Sequence, residues 1–372
     1  MTQAISKLTI KGYKSIRSLE NFELRNLNIL IGPNGSGKSN CINFFQLLKA
    51  ATQPRRLSVF VEYYGGADSL LYLGSKITGK LIGEVIFKDG EIKWEIELSP
   101  TTSNNLIFLR EYAQVGNCGL GITWDPTSEV TQTRLNLQSS NKESREYEEK
   151  IATPLKAALE GLKFYHFHDT SNFASIKKPT SEGNYDYLFQ DASNLAPFLF
   201  RMKEKQPRDY QAIIEVVGLA APFFEDLRFD LNEQRGEIKW WWLQKGSDYK
   251  FHPSQISDGT LRFICLATAL LQPNPPATIL LDEPELGLHP YALALLAGLI
   301  QKASIKTQVI VATQSASLIS HFDPGDIIVV ERKNEESVFR RLPLEKLKQW
   351  IDDYSLGELW EMNLLEGRPE NE

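Results

Sequence analysis

The sequence predicts an α/β fold in which buried strands end in polar loops. Three stretches predict it. Asn28-Ile29-Leu30-Ile31 is a short apolar run that passes at once into Gly32-Pro33-Asn34-Gly35-Ser36-Gly37-Lys38-Ser39. Apolar residues at 41, 42, 44, 45 and 48 then give one face of a helix. Residues 277–281 carry no charge, as in a strand buried on both faces, and end in Asp282 and Glu283. Between the two lies Ser257-Asp258-Gly259-Thr260-Leu261-Arg262, in front of the largely apolar run 263–271.

The remaining elements follow in order. Runs 5–10 and 22–31 read as strands, and the glycine loop with its helix occupies 32 to about 50. Glycines at 65, 66 and 74 mark turns. Strands 81–87 and 91–98 flank Lys88-Asp89-Gly90, a hairpin signal. Strands 106–112, 121–124 and 130–137 continue a β-rich lobe, and the polar stretch 136–149 is a candidate mobile loop. Helices are expected over 146–162 and 191–217, the second opened by Asp191 and Ser193, with a strand over 164–169. Runs 228–231 and 237–243 pair as a hairpin. The last part alternates: helix 260–271, strand 278–281, helix 290–303, then strands 307–312, 326–331 and 337–342. Ser257 or Asp258 suits an N-cap, Pro290 a first helical turn, and Ser355 with Glu358 a capping box for a last short helix. No internal repeat is present, and no sustained heptads lie between Ser39 and Ser257, so no coiled-coil arm is expected.

The glycine loop has the form G-x-x-x-x-G-K-S, and strand, loop and helix stand in the order that phosphate binding needs. Gly32, Gly35 and Gly37 let the backbone turn its N–H groups inward, where the positive end of the next helix adds to them. Asn34, Ser36 and Asn40 belong to the same cradle. Lys38 should reach the β and γ phosphates of ATP, and Ser39 should place its hydroxyl on Mg²⁺. Ligands in open α/β sheets bind at the carboxyl ends of strands, where Asp282 and Glu283 stand. As neighbours on a strand the two should point to opposite sides. Asp282 would hold the Mg²⁺ shell, while Glu283 would orient and deprotonate the attacking water.

Composition sets limits. The chain has 372 residues, enough for a substantial core, with 42% apolar and 24% charged residues as in ordinary globular proteins. Three scattered cysteines, Cys41, Cys118 and Cys265, form no C-x-x-C, so no zinc ribbon is expected; two of them fall in buried helices, which suits a reducing cytosol. No apolar stretch reaches the ~20 residues of a membrane span, and no signal peptide pattern opens the chain. A cytoplasmic protein with no membrane partner is therefore expected. The net charge of −6 predicts no protein-wide attraction to nucleic acid. Local basic clusters do occur: Lys7, Lys11, Lys14 and Arg17; Arg55 and Arg56; Lys177 and Lys178; and Arg201, Lys203, Lys205 and Arg208. Such runs read as solvated faces, and the last group alternatively as a phosphate contact.

Together, Lys11-Gly12-Tyr13-Lys14-Ser15-Ile16, the loop 32–40, the stretch 256–262, Asp282-Glu283-Pro284-Glu285-Leu286-Gly287-Leu288-His289-Pro290 and Ala312-Thr313-Gln314-Ser315 resemble the ABC-type ATPases. More narrowly, the chain is similar to the RecF/SMC-like branch and to small bacterial RecF-like members of the AAA family ATPases, which Leu356-Gly357-Glu358-Leu359-Trp360 also supports. The resemblance implies a single P-loop NTPase domain of ABC head type. Its parts would be a β-rich N-terminal lobe over 1–140, a helical or arm subdomain over 141–255, and a signature and Walker B lobe over 256–372.

It also implies an ATP-dependent homodimer in which Ser257 and Gly259 touch the γ-phosphate of the partner's ATP, and residues 286–290 cross the dimer interface. The implied function is an ATP-hydrolysing switch in DNA repair or maintenance, with DNA as partner. The alternatives are a defence sensor that regulates a separate nuclease or effector, and a slow-turnover scaffold. The family's switch histidine is replaced by Gln314, which can bond a γ-phosphate or water but cannot take a proton. No glutamine of the expected kind ends the strand before His168 and Asp169, and neither residue is given a catalytic role. Few residues follow Thr313, so no fused nuclease is expected there. Trp240-Trp241-Trp242 reads either as lobe core or as a stacking platform for bases, with Trp241 alone on one face. Tyr13 reads either as a base or ribose contact or as core.

Overall fold

The computed structural model describes residues 4–367, apart from 54, 88–89, 125–129, 132, 134, 136–147, 184, 344–346, 348–349 and 351–352. Half of the expected strand 130–137, most of the polar stretch 136–149 and two residues of the Lys88-Asp89-Gly90 turn lie outside the described residues.

The central sheet has six strands in the order Glu336–Arg341, Ile327–Lys333, Leu27–Ile31, Gln308–Thr313, Thr278–Asp282 and Leu162–Tyr165. Five run parallel, and Glu336–Arg341 closes one edge antiparallel. The parallel strands are apolar on both faces because both faces are covered. Ile29, Ile31, Val309, Val311, Ile279 and Leu281 enter one core with the helices Leu195–Lys205, Pro207–Ala220, Asp258–Leu271 and Pro290–Ser304. Leu30, Ile310, Ala312 and Leu280 enter a second core, shared with the helix Lys38–Ala51 and a six-stranded antiparallel sheet. That sheet runs Ile16–Glu23, Ile5–Tyr13, Leu81–Phe87, Ile92–Pro100, Leu106–Val115, Cys118–Thr123. The expected α/β class with a β-rich first lobe is the class observed.

A third, small sheet pairs Phe224–Asn232 with Glu237–Gln244, which also pairs with Lys250–Phe251 and Thr180–Ser181. In it Trp240 and Trp242 are buried, and Trp241 is only partly covered, as strand alternation requires.

Several expected elements change. The run 22–31 is two strands, broken where Asn28 Oδ1 accepts the Arg25 N–H at 3.0 Å. The helix expected over 191–217 is also two, because Pro207 has no N–H to continue the first and starts the second. Asp191 bonds the Ser193 N–H locally at 3.0 Å, and Asn194 stands at the helix start. The segment 146–162 begins with a π turn, Glu148–Ala152, before the helix Thr153–Glu160. The strand expected over 164–169 is Leu162–Tyr165, parallel to Thr278–Asp282, and ends before His166. Strand 121–124 is shifted to Cys118–Thr123. Tyr13 is fully buried edge-on against Phe44, so of its two readings the structure selects core.

Candidate nucleotide site

The glycine loop leaves the carboxyl end of Leu27–Ile31, in the middle of the parallel strands. Gly35 and Gly37 have φ of 78° and 109°, a left-handed backbone that favours glycine. They are glycines for different reasons. A Cβ on Gly37 would stand 2.0 Å from Ser337 Oγ and 2.8 Å from Ser15 Oγ, whereas one on Gly35 would meet nothing within 4 Å. Ser337 Oγ donates to Ser36 O at 2.6 Å and shares a second hydrogen bond of 2.7 Å with the Ser15 hydroxyl, and Asn40 Nδ2 donates to Ser15 Oγ at 2.7 Å. These bonds brace the loop from behind. Asn34 and Gly35 form its exposed rim.

Lys38 is buried and folds over the loop, donating to Gly32 O at 2.8 Å and Pro33 O at 2.9 Å. Burial pushes its pKa down, while Glu283, Asp282 and Glu285 pull it back up. Three carboxylates thus share the surroundings of one ammonium.

Ser39 Oγ donates to Asp282 Oδ1 at 3.2 Å, joining the first turn of the loop helix to the end of Thr278–Asp282. Burial raises the pKa of Asp282; the Ser39 bond opposes this and the Glu283 charge adds to it. A hydroxyl beside a desolvated carboxylate is a hard-oxygen donor pair suited to Mg²⁺, which takes few protein ligands and keeps waters and phosphate oxygens.

Glu283 corrects one expectation. Strand alternation does not carry past Asp282, because the strand stops there and Glu283 has φ 46°, rare for a residue with a side chain. Asp282 and Glu283 both border one small pocket with His168, Arg262 and Pro284.

Gln314 follows Gln308–Thr313 and its side chain is exposed. Its N–H donates to Glu285 Oε1 at 3.2 Å, as the Thr313 hydroxyl does at 2.5 Å. Glu285 is buried, its pKa is raised by that burial, and its Oε2 has no partner among the described residues. Sequence reasoning gave Glu285 no role; Glu285 standing two residues past Glu283 was the available signal.

Ser257 caps the helix Asp258–Leu271, accepting the Thr260 N–H at 3.1 Å. Gly259 allows close packing: a Cβ there would lie 2.4 Å from Gly287 O. Among the described residues, neither Ser257 nor Gly259 hydrogen-bonds to 32–40. Arg262 was also missed. Its guanidinium donates to Phe167 O at 3.1 Å, His168 O at 3.1 Å and Leu286 O at 3.0 Å. It therefore ties the capped helix both to the acidic loop and to the segment after Leu162–Tyr165. His168 Nε2 is buried without a partner among the described residues, and its ring stacks on His166 at 3.7 Å.

Several of the clustered basic residues have partners. Lys7 meets Glu23 at 4.0 Å, Lys11 meets Glu20 at 2.9 Å, and Lys14 lies 4.1 Å over the Tyr64 ring. Arg201 meets Asp186 at 3.6 Å and Lys203 meets Asp226 at 2.7 Å. Lys177 is buried, against the reading of Lys177-Lys178 as a solvated pair. Among the described residues no helix is long and apolar enough to cross a membrane.

Residues 27–320 match the family model described as "AAA domain, putative AbiEii toxin, Type IV TA system". Two curated relatives are the phosphate import ATP-binding proteins PstB of Ehrlichia ruminantium, strains Gardel and Welgevonden. Each is 26% identical over 120 residues, 30% of this chain and 46% of the relative. The chain thus spans about half the length of the curated relatives it matches. Among solved structures, an Smc head bound to the C-winged helix domain of ScpA matches with TM-score 0.59 at 18% identity, covering 92% of this chain and 99% of that one. An Smc head with extended coiled coil, bound to the C-terminal domain of ScpA from Pyrococcus furiosus, matches with TM-score 0.57 at 17% identity, covering 94% and 99%. The fold is that of ABC-type ATPase heads of the RecF/SMC-like kind.

Proposed function

The chain belongs to this AAA-domain family of ATP-binding ATPases, and from that premise we propose that it is an ATP-hydrolysing switch that pairs head to head with a second copy. The observation that carries the reading is the approach of Ser39 to Asp282 at 3.2 Å, beside the buried Lys38. The loop amides and Lys38 would hold the phosphates of ATP, with Gly32, Asn34, Gly35, Ser36, Gly37 and Asn40 shaping the cradle. Ser39 and Asp282 would hold Mg²⁺, which when bound neutralises charge on the phosphate oxygens. Glu283, turned by its left-handed backbone into the pocket beside Asp282, takes the proton of the water that attacks the γ-phosphorus as ADP leaves. Gln314 senses the γ-phosphate and passes its position to Glu285 through the backbone bond. Ser257 and Gly259 close the partner's site, which agrees with their lack of bonds to their own loop. On this reading 1–140, 141–255 and 256–372 are the working parts of one domain.

The switch would act in DNA repair or maintenance. A second reading, a defence ATPase that controls a separate nuclease or effector, is favoured by the toxin–antitoxin system in the family's description. A slow-turnover scaffold is favoured by Gln314, which cannot accept a proton. Phosphate release by the wild type and by Glu283→Gln, with and without duplex DNA, separates them. A hydrolase loses nearly all turnover in the variant; a scaffold shows none to lose. Stimulation by duplex DNA supports the repair role, and indifference to it supports the effector role.

A further inference from the structure

A second cavity lies away from the phosphate loop. It measures about 180 Å³ and is lined by Lys177, Lys178, Pro179, Lys239, Trp240, Trp241 and His252. Two motifs that stand apart in the sequence, the Lys177-Lys178 pair and the tryptophan run, meet in it.

The fold brings them together by specific bonds. Trp240 turns inward, and its Nε1–H donates to Ile176 O at 2.9 Å, while Thr180–Ser181 pairs with the start of the tryptophan strand. That fixes Lys177 and Lys178 beside Lys239. Lys239 and Trp241 share the outward face of the strand, being two residues apart. The Trp241 ring is oriented by its Nε1–H, which donates to Asp230 Oδ2 at 2.8 Å; Arg228 stands opposite it in the ladder, and the His252 ring lies 5.6 Å away at 74°. Lys178 and Lys239 are exposed, and neither makes an ion pair with a described residue. No carboxylate lines the cavity. Of the acidic groups around it, Asp230 accepts from Trp241, stands 3.6 Å from Lys250 and lies opposite Lys239 in the ladder, Asp169 accepts from Ser171 and feels the charges of Lys177 and Lys178, and Asp258 stands 3.9 Å from Lys177.

We propose that this cavity binds one nucleotide unit, its base against Trp241 and its phosphate between Lys178 and Lys239. A fixed indole face beside exposed cations is the chemistry of single-strand recognition, in which stacking is sequence-tolerant and the backbone charge is neutralised. The cavity is smaller than the roughly 300–1,000 Å³ that encloses a whole small ligand. It therefore suits one unstacked unit of a longer strand, and a base locked inside a duplex cannot reach Trp241.

The position gives the cavity a route to the nucleotide site. Buried Lys177 donates to Thr170 O at 2.6 Å and stands 3.9 Å from Asp258, the first residue of the helix that Ser257 caps. A strand phosphate added beside Lys178 competes for Lys177 and loosens its hold on Asp258. Occupancy thus bears on the stretch assigned to the partner's ATP.

The test measures binding without ATP, in the Lys38→Ala background, so that its result is independent of the phosphate loop. The probes are a fluorescein-labelled single-stranded oligodeoxynucleotide, the same sequence as duplex, and AMP. Lys178→Glu with Lys239→Glu removes the cations, Trp241→Ala removes the stacking face, and Lys302→Glu with Lys306→Glu makes the same charge change on exposed residues elsewhere. The proposal expects saturable single-strand binding with quenching of tryptophan fluorescence, weakened at least about tenfold by either cavity variant and little by the control. Binding of AMP that the cavity variants abolish also supports it, with free nucleotide as the source of the ligand. Binding of neither single strand nor AMP, binding of duplex alone, or equal loss in the cavity and control variants overturns it.

Discussion

Glu285 holds Thr313: its Oε1 accepts the Thr313 hydroxyl at 2.5 Å and the neighbouring Gln314 N–H at 3.2 Å. One carboxylate thereby couples the loop after the acidic strand to the strand end that carries Gln314. Any movement of Gln314 toward or away from a γ-phosphate must stretch or keep these bonds. Glu285→Ala leaves a buried hydroxyl and a backbone N–H without their acceptor, at a cost of about 1–3 kcal/mol each in an upper reckoning. Urea denaturation should show a loss in that range, with turnover falling as well. A variant as stable and as active as the wild type would remove Glu285 from the coupling.

The same residue gives a pH signature. Burial raises the pKa of Glu285 and of Asp282 above their ordinary values of 4.5 and 3.8. The folded chain therefore holds these protons where the unfolded chain has released them. Their contribution to stability is full below the ordinary values and is lost as pH rises through the raised ones. Glu285→Gln removes one such group, so its denaturation midpoint should fall less than that of the wild type from about pH 4 to pH 7. Parallel curves would contradict the assignment.

The two loop glycines should separate. Gly35→Ala meets no atom within 4 Å and loses only the left-handed preference, about 1–2 kcal/mol. Gly37→Ala adds a contact at 2.0 Å with Ser337 Oγ and should destabilise the free protein clearly more. Removing the hydroxyl in Gly37→Ala/Ser337→Ala should recover part of the difference. Equal midpoints for the two glycine variants would show that the brace behind the loop does not bear on stability.

Lys38→Ala should abolish nucleotide stabilisation. ATP at a hundredfold excess over its Kd adds about 2.7 kcal/mol to a protein that binds it only when folded. A wild-type Tm that rises with ATP and a variant Tm that does not is the expected pair. A variant that still rises would place the phosphates elsewhere.

Local chemistry was legible in the sequence where a few adjacent residues determine it. The loop 32–39, the apolar strand before Asp282 and the Ser355–Glu358 capping box needed no long-range information, and the capping box is present with both its bonds. What escaped reading depends on partners distant in the chain. Arg262 is set by carbonyls at 167, 168 and 286, and Lys177 is buried because Thr170 and Asp258 converge on it. Glu283 escaped because an alternation rule was applied one residue beyond the strand. The break before Pro207 was readable, since a proline within a helical pattern ends the preceding turn.

The central claim is that ATP assembles two copies around shared sites, with Glu283 limiting disassembly. Light scattering on Glu283→Gln, with and without ATP and Mg²⁺, tests it most directly. The account predicts a monomer in buffer or with ADP, and a doubled mass with ATP and Mg²⁺ that Ser257→Arg prevents. A chain that binds ATP fully and stays monomeric would contradict it.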